Sequence, residues 1–202
     1  MRGIEQIPWI YDALCAVCER GGLGRWRQWL AEGARGRTLD LGCGTGRNLP
    51  WLPRGVRAIA LDPSPDAVRR ARQRAPGVPL VIARAEALPF RDATLDTVLS
   101  GLVFCSVGDP ARGLAEVRRV LKPGGELRML EHVRAAGRWH AWIQDRIQPA
   151  WTWVAGGCHP NRETEATVAR AGFVIDERRA QGTMRRFTAV VPSPPGSHRR
   201  RA

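Results

Sequence analysis

A chain of 202 residues with 44% hydrophobic and 25% charged side chains is sized and composed for one globular domain with a sizeable core. No apolar run reaches the roughly 18 to 20 residues that cross a bilayer. The N-terminal stretch, which carries Glu5, Asp12 and Glu19 and lacks a small-residue cleavage site, is not a secretory signal, so a cytoplasmic protein with at most peripheral membrane contact is expected. The net charge of +13 fits a basic solvated surface, or attraction to an anionic membrane or acidic ligand, ahead of nucleic acid.

In chain order, residues 1–35 read as an N-terminal helical cap. Ile7, Ile10, Leu14 and Val17 recur at helical spacing, and Trp26 and Trp29 could close a pocket. Cys15 and Cys18 form a C-x-x-C with no second pair, so they read as small buried hydrophobes in a reducing compartment, and no metal is expected. From residue 36 to 192 apolar β-type runs alternate with helical patterns. Strands are predicted over Thr38–Leu41, Val56–Leu61, Pro79–Ala83, Leu95–Gly101 and Glu126–His132, with helices over Asn48–Leu52, Pro65–Ala75 and Ala111–Leu121. Such alternation predicts an α/β fold with a mostly parallel sheet. "GFVIDERRA" and "RRFTAVV", joined by a turn at Gln181-Gly182-Thr183, should end that sheet as an antiparallel hairpin. Residues 193–202 form a basic tail expected to be disordered.

"RTLDLGCGTGRNL" runs a strand into Gly42, Gly44 and Gly46. Alternating glycines at the carboxyl edge of a parallel sheet let backbone approach a ligand closely. The spacing is neither G-x-G-x-x-G nor a P-loop, since no Lys-Ser/Thr pair follows. Asp40 would repel a phosphate and could accept from an ammonium, so the loop favours a cationic, phosphate-free nucleoside. Asp62, followed by Pro63, ends the second strand about 20 residues further on, where an acid can take the ribose hydroxyls. A helix-capping or turn role is the plain alternative for Asp62.

These segments, with "AEALPFRDATLDTVLSGLVFCSV" and "LKPGGELRMLEHV", resemble the class I S-adenosylmethionine-dependent methyltransferases and imply their Rossmann-like sheet. From Leu102 onward, "LVFCSV", "EHV", "PAW" and "GGCHPNRET" are similar to the membrane-associated alkyl-thiol methyltransferases (methyltransferase-like 7) and to bacterial phospholipid and quinone methyltransferases. The resemblance implies that Asp40, Gly42, Gly44 and Gly46 line the methionine side of the cofactor and that Asp62 and Pro63 hold the ribose side. It places Ala85 and Glu86 beside the adenine and Ser100 near the sulfonium. Many relatives have an aspartate where this chain has Arg84; a guanidinium cannot accept from the adenine amine, which leaves backbone groups or Glu86 for that contact.

For chemistry, His132 at the end of the fifth strand, and Cys158 and His159 in the loop after the Trp-rich segment, are the candidate catalytic residues. A locally bonded histidine and a packing cysteine are the plain alternatives for the first two. Asp145 could orient a base or pair with an arginine on a solvated face. Residues 137–160 place Trp139, Trp142, Ile143, Ile147, Ala150, Trp151 and Val154 on one helical face. They form either a helix packed on the sheet or a lid over a greasy pocket that can also rest on a membrane. The function expected is methyl transfer to a small lipophilic acceptor: a thiol, a phospholipid headgroup or a quinone-like ring. Two readings compete, a nucleic-acid methyltransferase and a non-catalytic cofactor-binding protein at a membrane surface. Leu102-Val103-Phe104-Cys105 lacks the (Asp/Asn)-Pro-Pro-aromatic sequence of enzymes acting on exocyclic base amines, and the arginines do not interleave with aromatics.

Overall fold

The computed structural model describes residues 22–155 and 157–193. The predicted helical pattern before residue 22, including Cys15 and Cys18, lies outside the described residues, as does the tail from 194. Seven strands form one sheet in the order β3-β2-β1-β4-β5-β7-β6. They are β1 (Arg37–Leu41), β2 (Arg57–Asp62), β3 (Leu80–Ile82), β4 (Leu95–Gly101), β5 (Leu121–His132), β6 (Val174–Gln181) and β7 (Met184–Val190). The first five pair in parallel; β7 runs antiparallel between β5 and β6. This is the mostly parallel sheet with a terminal hairpin that the alternating pattern predicts.

The central strands are apolar because both faces are covered. Leu39, Leu41, Leu61, Val98, Leu127 and Met129 belong to one core with Phe104, Leu114 and Phe187. Helices α1 (Gly24–Glu32), α2 (Pro65–Arg74), α3 (Pro110–Val120), α4 (Arg138–Val154) and α5 (Thr164–Arg170) flank the sheet. Both α2 and α3 start with a side-chain cap followed by proline. The Ser64 hydroxyl accepts from the Ala67 N–H at 3.3 Å, and Asp109 Oδ1 accepts from Arg112 N–H at 3.0 Å. Such caps satisfy N–H groups that a helix cannot bond internally. The predicted Asn48–Leu52 helix is a single 3-10 turn at Leu49–Trp51. Helix α5 is additional to the predicted set.

Helix α4 departs most from expectation. Pro149 sits inside it without ending it. Its apolar face does not pack on the sheet: Trp139, Trp142, Ile143, Ile147, Trp151, Trp153 and Val154 are all exposed, while Ala141 and Gln144 are its buried residues. The helix is held by polar bonds instead. Gln144 Oε1 accepts from Ala135 N–H at 2.7 Å, and Gln144 Nε2 donates to the carbonyls of Val133 and Pro160. Asp145 takes both Arg134 Nη atoms at 2.7 Å and the amide of Asn161 at 2.9 Å. Asp145 is therefore an anchor of α4.

On the N-terminal side, Trp26 and Trp29 do not close the cavity described below. They pack on Leu30, Leu99 and Leu130. The Arg128 guanidinium lies 4.3 Å from the Trp29 ring centre, and Arg186 lies 4.7 Å from Trp29 and 5.5 Å from Trp26. Those stacks hold both rings against β5 and β7.

Candidate active site

At the carboxyl ends of β1, β2 and β4 a cavity of about 600 Å³ opens. Its lining includes Gly42, Gly44 and Thr45 from the glycine loop, Asp62, Pro63 and Ser64 after β2, Arg84, Ala85 and Glu86 after β3, and Leu102, Val103, Ser106, Val107 and Gly108 after β4; Ala155 reaches it from the end of α4. Cavities of this size suit a ligand of nucleoside dimensions.

The glycine loop is where bare backbone is required. Gly42 has φ +62°, and a Cβ there would lie 2.5 Å from Val103 Cγ2. Gly44 has φ +54°; its N–H donates to Asp62 Oδ2 at 2.9 Å, while Ser64 N–H donates to Oδ1 at 2.8 Å. Burial raises the Asp62 carboxyl, and the Ser64 and Gly44 N–H groups hold it back down. Each oxygen accepts from one backbone N–H and keeps a lone pair free, so the carboxylate can accept from both hydroxyls of a ribose.

Two other predicted residues lie behind the lining. Asp40 is fully buried beneath the loop. Its Oδ1 accepts from Asn48 Nδ2 at 2.7 Å, and Asn48 Oδ1 accepts from Arg27 Nη1 at 2.8 Å. Its Oδ2 is buried with no hydrogen-bond partner among the described residues. Burial pushes the Asp40 carboxyl up to about 7, against the Asn48 bond and the Arg27 charge. Gly46 also lies outside the lining: a Cβ there would sit 3.1 Å from Ala71, so its role is close packing of the loop on α2.

Ser100 is likewise fully buried and does not line the cavity; its hydroxyl donates to Glu131 Oε1 at 3.0 Å. That oxygen also accepts from the N–H groups of Val103 and Phe104, both at 3.1 Å. Glu131 thereby holds the turn after β4 that forms the cavity wall, where Leu102 takes φ +62°. Burial carries its carboxyl up to about 7 despite these donors. The signal for Glu131 was present in the sequence, as an acid directly after the apolar pair Met129-Leu130 near the end of β5. After β3, Glu86 Oε1 accepts from Gly108 N–H at 3.1 Å and Asp109 N–H at 3.3 Å and sits 3.5 Å from Arg84. Arg84 is thus turned onto Glu86.

Of the three candidate catalytic residues, two come together and one does not. Cys158 packs with Cys105 in one buried cluster, with His132 and Trp151 near its thiol, and His132 Nε2 pairs with the Thr183 hydroxyl at 2.8 Å. His159 points elsewhere, its Nδ1 donating to the Gly157 carbonyl at 2.7 Å. Among the described residues no cluster of three or more His, Cys, Asp or Glu side chains could hold a metal.

A family described as "Methyltransferase domain" matches residues 39–129. Human thiol S-methyltransferase TMT1A is 31% identical over 172 residues, covering 81% of this chain and 70% of that protein. The chain belongs to the class I S-adenosylmethionine-dependent methyltransferases. Human thiol S-methyltransferase TMT1B is 38% identical over 151 residues, 70% of this chain, and the match spans 62% of that protein's length. The demethylmenaquinone methyltransferase of Renibacterium salmoninarum is 33% identical over 126 residues, 60% of this chain and 53% of that enzyme. A methyltransferase solved in complex with the Trm112 activator of Haloferax volcanii shares the fold, with a TM-score of 0.72 at 19% identity over 95% of this chain and 99% of that one. The cofactor of this methyltransferase is S-adenosylmethionine. The bare backbone at Gly42 and Gly44 and the two-oxygen cradle of Asp62 fit it, because neither offers a cation to a phosphate and both face a cavity of the right size.

Proposed function

We propose that this methyltransferase moves the methyl group of S-adenosylmethionine to the sulfur of a small lipophilic thiol. The observation that carries the thiol is the likeness to TMT1A and TMT1B, both named thiol S-methyltransferases, joined to an apolar wall where an acceptor would enter. Leu102, Val103, Val107 and Ala155 supply that wall.

In this reading Asp62 holds the ribose, Gly42 and Gly44 lie against the methionine portion, and Ala85 and Glu86 flank the adenine. Asp40, Gly46 and Ser100 act from behind by setting the loop and the turn after β4. The bound cofactor supplies an electrophilic methyl carbon on a sulfonium, so the protein's part is alignment, exclusion of water and acceptance of the thiol proton. His132 and Cys158, side by side behind the wall, are the titratable pair placed to hold that proton. His159, bonded to its own loop, orients the segment.

The exposed face of α4 supports a lipophilic acceptor that arrives from a membrane surface. Trp139 and Trp142 stack with ring centres 4.9 Å apart, and the Arg146 guanidinium lies 5.0 Å from the Trp142 ring centre. Aromatic rings beside arginine suit an anionic lipid interface. Among the described residues no helix is long and apolar enough to cross a membrane. Incubation with methyl-labelled S-adenosylmethionine and an equimolar pool of an alkane thiol, a menaquinol and phosphatidylethanolamine tests the acceptor. Label recovered as the methyl thioether is expected; label in the quinol or the lipid would replace the thiol with that acceptor.

A further inference from the structure

Two thiols meet where the end of α4 leans on the cavity wall. Cys105 lies in the turn after β4, between the lining residues Val103 and Ser106, and Cys158 follows α4, three residues after the lining residue Ala155. The two side chains and Ala155 form one small buried cluster, with 3% of Cys105 and 6% of Cys158 exposed. Backbone bonds stitch the same two segments together. His159 N–H donates to the Cys105 carbonyl at 2.7 Å, and Arg162 Nη1 donates to the carbonyls of Phe104 and, at 2.7 Å, Val107. The groups around the pair are His132, Trp151, Ser106, Glu131 and Arg162. The remaining free cysteine among the described residues, Cys43, belongs to a separate cluster under α2.

We propose that Cys105 and Cys158 are a thiol–disulfide site, oxidised by low-molecular-weight disulfides, whose closure ties the end of α4 to the wall of the cofactor cavity. The Cys158 sulfur attacks one sulfur of RS–SR, forming Cys158–S–SR and releasing RS⁻. The Cys105 sulfur then attacks the Cys158 sulfur, forming the protein disulfide and releasing a second RS⁻. The two cysteine protons leave with the two thiolates, so dithiol and RSSR become protein disulfide and two RSH, and the electron pair lost by the protein reduces the small disulfide.

The order of attack follows from the surroundings. Cys158 packs against Cys105 and lies beside His132, and these neighbours lower its thiol. Cys105 is raised by its Cys158 neighbour, by burial and by the charge of Glu131. A thiolate attacks and a thiol does not, which makes Cys158 the attacking group and Cys105 the resolving one. Because both are buried, reaction samples openings of the α4 end, which the exposed, polar-anchored helix permits.

The test treats the full chain with hydroxyethyl disulfide, maps the peptides and measures amide hydrogen exchange of residues 147–158. Neither readout depends on methyl transfer. The expected result is a Cys105–Cys158 cross-link reversed by dithiothreitol, with exchange over 147–158 slowed about tenfold in the oxidised protein. Cys105→Ser, or Cys105→Ala should the serine fail to fold, should stall as a mercaptoethanol adduct on Cys158. A cross-link confined to Cys15 and Cys18, an adduct on Cys105 in Cys158→Ser but none on Cys158 in Cys105→Ser, or unchanged exchange across 147–158 in the cross-linked protein would each overturn the proposal.

Discussion

The backbone N–H of Gly44 donates to Asp62 Oδ2 at 2.9 Å. That bond joins the loop after β1 to the end of β2, so the residue expected to hold the ribose also fixes the glycine loop. The parallel register, with Leu41 opposite Leu61, brings the two strand ends level. A single carboxylate therefore sets two walls of the cavity.

Gly42→Ala should damage this arrangement without touching a ligand. The new Cβ would meet Val103 Cγ2 at 2.5 Å, on a residue already at φ +62°. Chemical denaturation should show a loss of about 1–3 kcal/mol. Gly77→Ala, with no atom within 4 Å and no positive φ, should stay within about 0.5 kcal/mol of the parent.

Stability should fall as pH rises toward neutrality. Glu131 titrates near 7 in the fold against an ordinary 4.5, and Asp40 near 7 against 3.8, in both cases because burial disfavours the charge. Between the unfolded and folded values the native state holds more protons than the unfolded chain, so both contributions are complete at acid pH and are lost as pH rises through about 7. Urea titrations from pH 5 to 8 should show that decline, and Glu131→Gln should remove roughly half of it. An unchanged profile in the variant would place the dependence elsewhere.

The outward face of α4 can be altered without loss of the fold. Ile147 is 49% and Trp153 70% exposed, so replacing both with serine should change stability by no more than about 0.5 kcal/mol. Flotation with vesicles containing phosphatidylglycerol should carry the parent protein at low salt and leave the variant in the pellet fraction. Added salt should weaken the parent's binding as the arginine contribution is screened.

Local chemistry made much of the architecture readable. Ser64-Pro65 and Asp109-Pro110 each state a cap and a first turn, and α2 and α3 begin there. Leu95, Val98 and Leu99 mark the strand Leu95–Gly101, which is buried on both faces. Glycine spacing and the acid about 20 residues later brought Gly42, Gly44 and Asp62 to one cavity. Helix α5 was silent because its seven residues offer Val168 alone as a long apolar side chain. Periodicity found the apolar face of α4, but which way that face turns depends on Gln144 and Asp145 finding polar partners in distant loops. The Cys105–Cys158 contact is tertiary and leaves no local trace. Ser100 and Asp40 lie buried behind the cavity lining, a depth that strand position alone does not reveal, because it does not say whether a polar side chain meets ligand or another side chain.

Titration calorimetry of S-adenosylhomocysteine into the parent chain and Asp62→Ala tests the central claim most directly. The account predicts one site per chain, weakened in the variant by about 1–3 kcal/mol for loss of a charged hydrogen-bonding group. Equal affinity in the two proteins would contradict it.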